Sequence, residues 1–182
     1  HYAARGYLDF QVLGDSLIID PTTGKTRIEV TVDEGTEYHL ADFAVSGNRV
    51  FPADRLERFF EPDEAGLFTT VLGEDELPIF DSIAFQAATA EVAQLYQNEG
   101  YLYSQIIPYV NRNPAQDGAP ATVNVGWTIR EGQQAYIARV DIEGNECTYE
   151  RVIRDKIFIL PGDVYSQERI IQSFQSISSL GY

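Results

Sequence analysis

Two stretches of the chain alternate between apolar and polar residues, and each ends at a Glu-Gly pair. In residues 27–32, isoleucine and valine occupy every second position, and residues 122–129 repeat the pattern with valine, tryptophan and isoleucine. A period of two is typical of a β-strand with one buried and one solvated face. Both stretches are therefore predicted to be strands that end at Glu34-Gly35 and Glu131-Gly132.

Each of these strands is predicted to be the second strand of a hairpin. The apolar segments 8–19 and 102–110 precede them, and the intervening loops are rich in residues that favour turns. Gly14 interrupts the first segment and Pro108 the second. Because proline cannot donate a ladder hydrogen bond, Pro108 predicts an edge strand or a bulge.

A further strand and two helices are predicted after each Glu-Gly pair. Residues 40–45 and 137–142 have strand-like patterns and end at Gly-Asn, a pair suited to a tight exit with positive φ. Apolar residues then recur at helical spacing. The predicted helices lie within residues 52–60, 81–100, 148–157 and 166–180, and Thr148 is predicted to cap the third of them.

The whole pattern occurs twice, because Glu131 follows Glu34, and Gly144 follows Gly47, by the same 97 residues. We expect an α+β fold of tandem units, each strand-helix-helix-strand-strand, with two helices packed on one face of a three-stranded mixed sheet. Residues 1–35 would supply the last two strands of one unit, 36–132 a complete unit, and 133–182 the strand and two helices of another. The residues predicted to form turns and junctions are Glu34, Gly35, Gly47, Asn48, Gly100, Glu131, Gly132, Gly144, Asn145 and Gly181.

The charge of the chain narrows the choice of partners. Thirteen basic against 28 acidic residues give a formal net charge of −15, whereas sequence-independent nucleic-acid binding needs a basic surface. An anionic membrane surface also repels such a chain. No apolar run is long enough for a transmembrane helix. The chain contains no methionine, which indicates a processed protein or a fragment.

Residues that support catalysis or metal binding are scarce. His1 and His39 are too few for a metal cage, and Cys147 is explained as a small residue beside a helix start. The acidic groups at 61–64 and 74–76 lack the alternating ligands of a calcium loop. No nucleophile elbow, phosphate loop or zinc spacing occurs. We therefore expect no cofactor and no enzymatic activity.

The order of the motifs resembles that of POTRA (polypeptide-transport-associated) domains over essentially the whole chain. These motifs are Gly-Asn after the first strand, residues 160–165 (Leu-Pro-Gly-Asp-Val-Tyr) before the second helix, Gly-Tyr at its end and Glu-Gly after the third strand. In tandem, such units are similar to the periplasmic arm of BamA-type outer-membrane protein assembly factors. The chain departs from the family pattern at an acidic insert, Gly66–Pro78, whose role the sequence does not define.

The resemblance implies a location at the periplasmic face of the outer membrane of a Gram-negative-type bacterium. It also implies binding of unfolded outer-membrane proteins, docking of accessory assembly lipoproteins, and membrane contact only through a barrel outside these residues. The alternative is the POTRA arm of a two-partner secretion transporter or another structural docking module. Domain number separates the two, because such transporters usually carry two units and this chain has parts of three. An enzyme on an unrelated α+β fold is a third, weaker alternative.

The resemblance places an exposed sheet edge at the strand after Gly100-Tyr101. An exposed edge can be extended by an incoming strand, and such β-augmentation suits unfolded clients whose sequences vary but whose backbones do not. The residues predicted to form this client-binding edge are Tyr101, Leu102, Tyr103, Ile106, Ile107 and Val110.

The incomplete units at the two ends predict one further partner. Residues 1–35 and 133–182 together contain the elements of one full repeat. Two chains are therefore expected to be able to pair head to tail by domain exchange, each completing the other. The alternative is that the sequence is part of a longer chain.

Overall fold

The computed structural model describes residues 2–19, 24–60, 77–116, 118–146 and 148–180. A short 3-10 turn, Ala3–Arg5, precedes the first strand. The remaining elements are β1 (Gln11–Ile19), β2 (Thr26–Asp33), β3 (His39–Ser46), α1 (Ala53–Glu57), α2 (Ser82–Asn98), β4 (Gln105–Asn113), β5 (Thr122–Arg130), α3 (Glu150–Arg154) and α4 (Gln167–Ser178).

Strands β1 and β2 form an antiparallel two-stranded sheet, as the alternation in residues 27–32 predicts. The register shifts between Val12 and Gly14, so the glycine marks a bulge. Both strands are solvent-exposed along their whole length. Leu17 and Ile28, which face each other in the register, are 60% and 68% exposed.

Strands β3, β5 and β4 form a second sheet in that order, with β5 in the centre. β3 runs parallel to β5, because His39 N donates to Ala121 O and, further along both strands, Ser46 Oγ donates to Trp127 O. β4 runs antiparallel to β5, since Asn113 bonds Thr122 at the start of β5. The predicted α+β class with a three-stranded mixed sheet is confirmed.

Alternate residues of β5 form the centre of the core. Val123, Val125, Trp127 and Ile129 are each at most 3% exposed. The described chain divides into two compact units, of which the first comprises His1–Ala44, Phe60–Ala88 and Pro108–Gly126 and the second Val45–Phe59, Thr89–Ile107 and Trp127–Tyr182. These units do not coincide with the predicted repeat boundaries at 35 and 132, which stay a prediction.

Each compact unit has an aromatic centre of its own. In the first unit, the rings of Phe43, Phe60, Phe80 and Phe85 pack together at centroid distances of 5.1–6.5 Å. In the second, Phe51 packs edge-on against Tyr96 at 4.9 Å, and Trp127 Nε1 donates to Thr89 Oγ1 at 2.8 Å. Each buried polar atom of the Trp127 and Tyr96 side chains therefore has a hydrogen-bond partner.

Two local predictions are wrong. Residues 137–142 do not form a strand, although Tyr136 makes an isolated bridge to Val164. β3, which occupies the equivalent position in the preceding repeat, is paired with β5. No strand in the described part of the chain pairs with residues 137–142. Thr148 does not cap α3, whose N-cap is Tyr149 without a side-chain hydrogen bond.

Candidate functional site: the β4 edge and the repeated junctions

Strand β4 lies at an edge of the three-stranded sheet, with β5 as its neighbour in the described part of the chain. It begins at Gln105, later than the sequence indicated. Tyr101, Leu102 and Tyr103 lie in a turn closed by Ser104 N and Tyr101 O at 3.0 Å. The expectation that these three residues belong to the strand is therefore wrong, because the positive-φ exit at Gly100 is followed by this second turn.

The remaining predicted edge residues lie on β4 and alternate between its two faces. Ile107 shares a face with Tyr109, whose ring lies across Gly126 and whose Oη donates to Ala44 O at 3.4 Å. Ile106 and Val110 lie on the opposite face, towards the buried side of β5. Ile107 is 41% and Val110 is 38% exposed, so apolar surface is available on both faces of the edge.

A groove of about 290 Å³ runs beside β4 in the first compact unit. One wall is formed by alternate residues of β4 (Pro108, Val110 and Arg112), and the floor includes the rings of Phe80 and Phe85. Leu8 also lines it. The groove is thus lined mainly by apolar residues, with Ser82 and Gln86 as polar exceptions and Arg112 near the end of β4.

At that end, three side chains distant in sequence meet. Arg112 forms an ion pair with Asp9 Oδ1, and Tyr38 Oη donates to Asp9 Oδ2 at 3.1 Å. The guanidinium of Arg112 lies 5.9 Å from the centroid of the Tyr38 ring. Burial, followed by the hydrogen bond to Asp9, raises the pKa of Tyr38. The sequence analysis missed this cluster, since none of the three residues belongs to a repeated motif.

Glu131, at the end of β5, holds the turn that follows β3. Its Oε1 accepts hydrogen bonds from Arg49 N at 2.6 Å, Val50 N at 2.8 Å and Tyr96 Oη at 3.0 Å. Burial acts to raise the pKa of this carboxyl, but the hydrogen bonds outweigh it and the pKa of Glu131 is lowered. Conversely, burial and the bond to Glu131 raise the pKa of Tyr96. The arrangement is that of an ionised carboxylate fixing a backbone turn.

The turn residues of the two repeats adopt matching geometry. Gly47 and Gly144 have φ of +81° and +77°, and the amide of the following asparagine donates to a backbone carbonyl three residues on, Asn48 to Phe51 and Asn145 to Thr148. Glu34 repeats one bond of Glu131, because its Oε1 accepts from Tyr2 Oη at 3.0 Å. Gly181 lies outside the described residues.

The Gly-Tyr motifs form backbone junctions that are also repeated. Gly6 O accepts from Tyr38 N at 3.0 Å, and Gly100 O accepts from Ala135 N at 2.8 Å. Ala135 follows Tyr38 by 97 residues, and Gly100 follows Gly6 by 94. The next contacts correspond as well, since Tyr38 O accepts from Phe80 N and Ala135 O from Tyr165 N. The chain therefore forms a backbone junction with the preceding Gly-Tyr segment shortly after each Glu-Gly turn, at Tyr38 after Gly35 and at Ala135 after Gly132.

The described residues offer no group of side chains suited to a metal ion. No cluster of three or more His, Cys, Asp or Glu side chains suited to a metal ion occurs among them, while Cys147 and the acidic groups at 61–64 and 74–76 lie outside this part of the chain. None of the described helices has the length and apolar character to cross a membrane.

Comparisons with known proteins relate the chain to one family. Residues 135–182 match the family model "POTRA: Surface antigen variable number repeat". The chain is 25% identical to a protein of Treponema pallidum (strain Nichols) provisionally named an outer membrane protein assembly factor; the match covers all of this chain and 20% of that protein. It is 24% identical to the outer membrane protein assembly factor BamA of Neisseria meningitidis serogroup B (strain MC58), over 93% of this chain and 20% of that protein.

Among solved structures, the chain is similar to POTRA domains 3–5 of Haemophilus influenzae BamA, with a TM-score of 0.63 and 18% identity. That match covers 100% of this chain and 65% of the solved one. At this identity the likeness concerns the fold. The chain spans about a fifth of the length of the curated relatives it matches. The resemblance to POTRA domains of BamA-type outer-membrane protein assembly factors is confirmed.

Proposed function

We propose that this chain is a segment of the periplasmic POTRA arm of a BamA-like outer-membrane protein assembly factor, and that the β4 edge binds unfolded outer-membrane proteins. The observation that carries the proposal is the position of β4 at the edge of the sheet beside an open, largely apolar groove. The likeness to proteins named outer membrane protein assembly factors supports the client class.

The edge offers backbone groups as the main source of affinity. A proline is tolerated inside a strand where its nitrogen faces away from the neighbouring strand, so Pro108 indicates that the even-numbered residues of β4 turn their backbone groups outwards. Ile106, Val110 and Arg112 would then pair with an incoming strand. Main-chain hydrogen bonds of this kind are independent of client sequence, and the groove adds a preference for apolar side chains.

Replacing Pro108 by valine tests this binding mode. The substitution adds one outward N–H between those of Ile106 and Val110, and one extra backbone hydrogen bond is worth roughly 0.5–1.5 kcal/mol. We expect a roughly two- to tenfold tighter dissociation constant for a peptide copied from one strand of an outer-membrane protein. Fluorescence anisotropy of the labelled peptide at low protein concentration measures it.

Pro114→Val is the matched control, because it makes the same chemical change at a residue that lies in the loop just after β4. It should leave the affinity unchanged. A second control peptide carries N-methyl groups on alternate amides and cannot complete a ladder. Equal binding of the methylated and parent peptides, or no effect of Pro108→Val, would count against this edge.

The remaining partners follow from the same proposal. An arm of this kind docks accessory assembly lipoproteins and performs no catalysis of its own. Site-specific crosslinking from the exposed side chains of Tyr103 and Phe174, which are 76% and 71% exposed, to a purified lipoprotein of the same assembly machinery would locate the docking face. Crosslinks that are not reduced by an excess of unlabelled lipoprotein would exclude specific docking at these residues.

Head-to-tail exchange between two copies is also proposed. The apolar residues of β1–β2 and of α4 are exposed, with Ile28 at 68% and Phe174 at 71%. In the complete repeat, the residue equivalent to Ile28 is Val125, which is 1% exposed. A second copy is the partner that offers the complementary half of a unit.

A further inference from the structure

The cluster of Asp9, Tyr38 and Arg112 joins the start of the β1–β2 hairpin to the end of β4. Asp9 lies two residues before β1, and Arg112 is the penultimate residue of β4. Both carboxylate oxygens of Asp9 are engaged, one by Arg112 and the other by the phenol of Tyr38. Tyr38 is itself 8% exposed and fixed by its backbone, since its N–H and C=O bond Gly6 and Phe80.

The position of the cluster matters because it lies at one end of the β4 groove. Arg112 and Leu8 both line that groove, and Leu8 is the neighbour of Asp9 in the chain. A strand paired along β4 from Gln105 to Val110 leaves the cluster intact. A strand that continues to Arg112 would reach the residue whose guanidinium Asp9 already engages.

The second junction lacks the corresponding groups. The Gly-Tyr motifs place Tyr103 at the position of Asp9, and the junction register places Ala135 at the position of Tyr38. Tyr103 is 76% exposed, and neither residue offers a carboxylate or a buried phenol. The cluster is therefore a specific addition to the first junction and is not required by the repeated backbone geometry.

We propose that Asp9, Tyr38 and Arg112 form a latch that seats the β1–β2 hairpin against the end of β4 and limits the length of client strand that β4 accepts. The inference rests on the proposed function of β4. A client carboxylate opposite Arg112 replaces Asp9, so that a long acidic strand binds at the expense of the latch. Arg112 and Asp9 are 49% and 39% exposed in their side chains, and ion pairs this exposed are weak enough to be exchanged.

The latch can be tested without any client. Spin labels at Ser16 on β1 and Ala87 on α2, both exposed, in a Cys147→Ser background report the hairpin-to-helix distance by electron paramagnetic resonance. We expect Asp9→Asn and Arg112→Gln each to broaden the distance distribution, and the double variant to add little to either. The matched control is Arg27→Gln, which breaks an exposed ion pair with Glu29 inside the hairpin and should have no effect.

The charge-swapped pair, Asp9→Arg with Arg112→Asp, should narrow the distribution again relative to Asp9→Arg alone. Distributions that are the same in the wild type, Asp9→Asn and Arg112→Gln would overturn the latch. A gain in mobility with Arg27→Gln as large as with Asp9→Asn would also overturn it, because the cluster would then have no specific role.

Client peptides of two lengths separate the latch from the function of β4. A short strand that reaches only Val110 should bind wild type and Asp9→Asn equally, whereas a longer strand with an acidic residue opposite Arg112 should bind Asp9→Asn severalfold more tightly. If neither peptide binds any variant while the label distances respond, the latch stands and the proposed function fails. If both peptides bind and Asp9→Asn changes neither, the function stands and the competition for Arg112 is wrong.

Discussion

At the scale of single residues, Glu131 fixes the turn after β3 through three hydrogen bonds to its Oε1. Its carboxylate replaces the hydrogen bonds that the N–H groups of Arg49 and Val50 would otherwise make with water, and it also receives the phenol of Tyr96. Bonds to an ionised acceptor are worth roughly 1.5–3 kcal/mol each when both partners are held in place. Removing the charge should therefore lower the stability of the second compact unit measurably.

Glu131→Gln keeps the shape of the side chain and removes the charge. We expect a loss of about 1–3 kcal/mol in the free energy of unfolding at pH 7. Because the folded-state pKa of Glu131 is lowered, its contribution is present above the unfolded-state value of about 4.3 and is lost as the pH falls through the lower folded-state pKa. Urea unfolding followed by Trp127 fluorescence should show wild type and variant converging in acid. A difference of the same size at pH 7 and at strongly acidic pH contradicts this role.

Glu34→Gln is the control for that experiment. Among the bonds found for the described residues, Glu34 Oε1 accepts from the phenol of Tyr2, whereas Glu131 also fixes two backbone N–H groups. The smaller number of bonds predicts a smaller loss. Tyr2 and Glu34 belong to the first compact unit and Trp127 to the second, so the Trp127 transition should stay in place.

The two Gly-Asn glycines share a backbone conformation but have different surroundings. A Cβ on Gly47 would lie 2.2 Å from Ile129 O, whereas none of the described atoms lies within 4 Å of a Cβ on Gly144. Alanine at a positive φ costs roughly 1–2 kcal/mol by itself. We expect Gly144→Ala to cost about that amount, and Gly47→Ala to cost roughly 3–5 kcal/mol because a backbone atom must move. Thermal unfolding of both variants measures the contrast, and equal losses would refute it.

At the scale of elements, β2, β3 and β5 were predictable from sequence to within one or two residues, whereas β1 and β4 begin three residues or more after the predicted starts. β2 and β5 lie within one or two residues of the alternating stretches. In β5 the alternation corresponds to a buried face, whereas β2 is exposed along its whole length. β4 begins four residues later than Tyr101 because a turn follows Gly100. The position of β4 at the sheet edge agrees with Pro108 in its interior, since a central strand would lose a ladder bond there.

The elements that sequence reasoning missed depend on partners far along the chain. Residues 137–142 have the pattern of β3, but a strand exists only where a neighbour supplies its hydrogen bonds, and β3 has β5. The contact between Asp9 and Arg112 joins residues 103 positions apart. Neither residue type nor local spacing predicts such a contact. The turn residues of the site could therefore be predicted from the sequence, and the latch could not.

At the scale of the whole chain, the backbone junctions are repeated although the segments between them differ in length. The bridge between His39 and Ile79 is repeated by that between Tyr136 and Val164. The first residues of these pairs lie 97 positions apart and the second residues 85. The segment from His39 to Ile79 is therefore twelve residues longer than the segment from Tyr136 to Val164. The acidic insert Gly66–Pro78, 13 residues long, lies between His39 and Ile79, and most of it lies outside the described residues. The junction geometry is therefore independent of the insert.

The head-to-tail exchange predicts the solution behaviour of the 182-residue chain. Multi-angle light scattering should give a mass that rises with concentration, because each copy offers one hairpin and one helical face. Ile28→Glu and Phe174→Glu, which place a charge on the two opposite faces, should each give monomers near 20.4 kDa.

An equal mixture of the two variants retains one intact hairpin and one intact helical face, and it should form dimers and nothing larger. Tyr103→Ser is the control, since Tyr103 is more exposed than either residue and belongs to neither face. A wild-type chain that is monomeric at every concentration rules the exchange out. A mixture that stays monomeric while the wild type associates shows that association uses other surfaces than the two halves of a repeat.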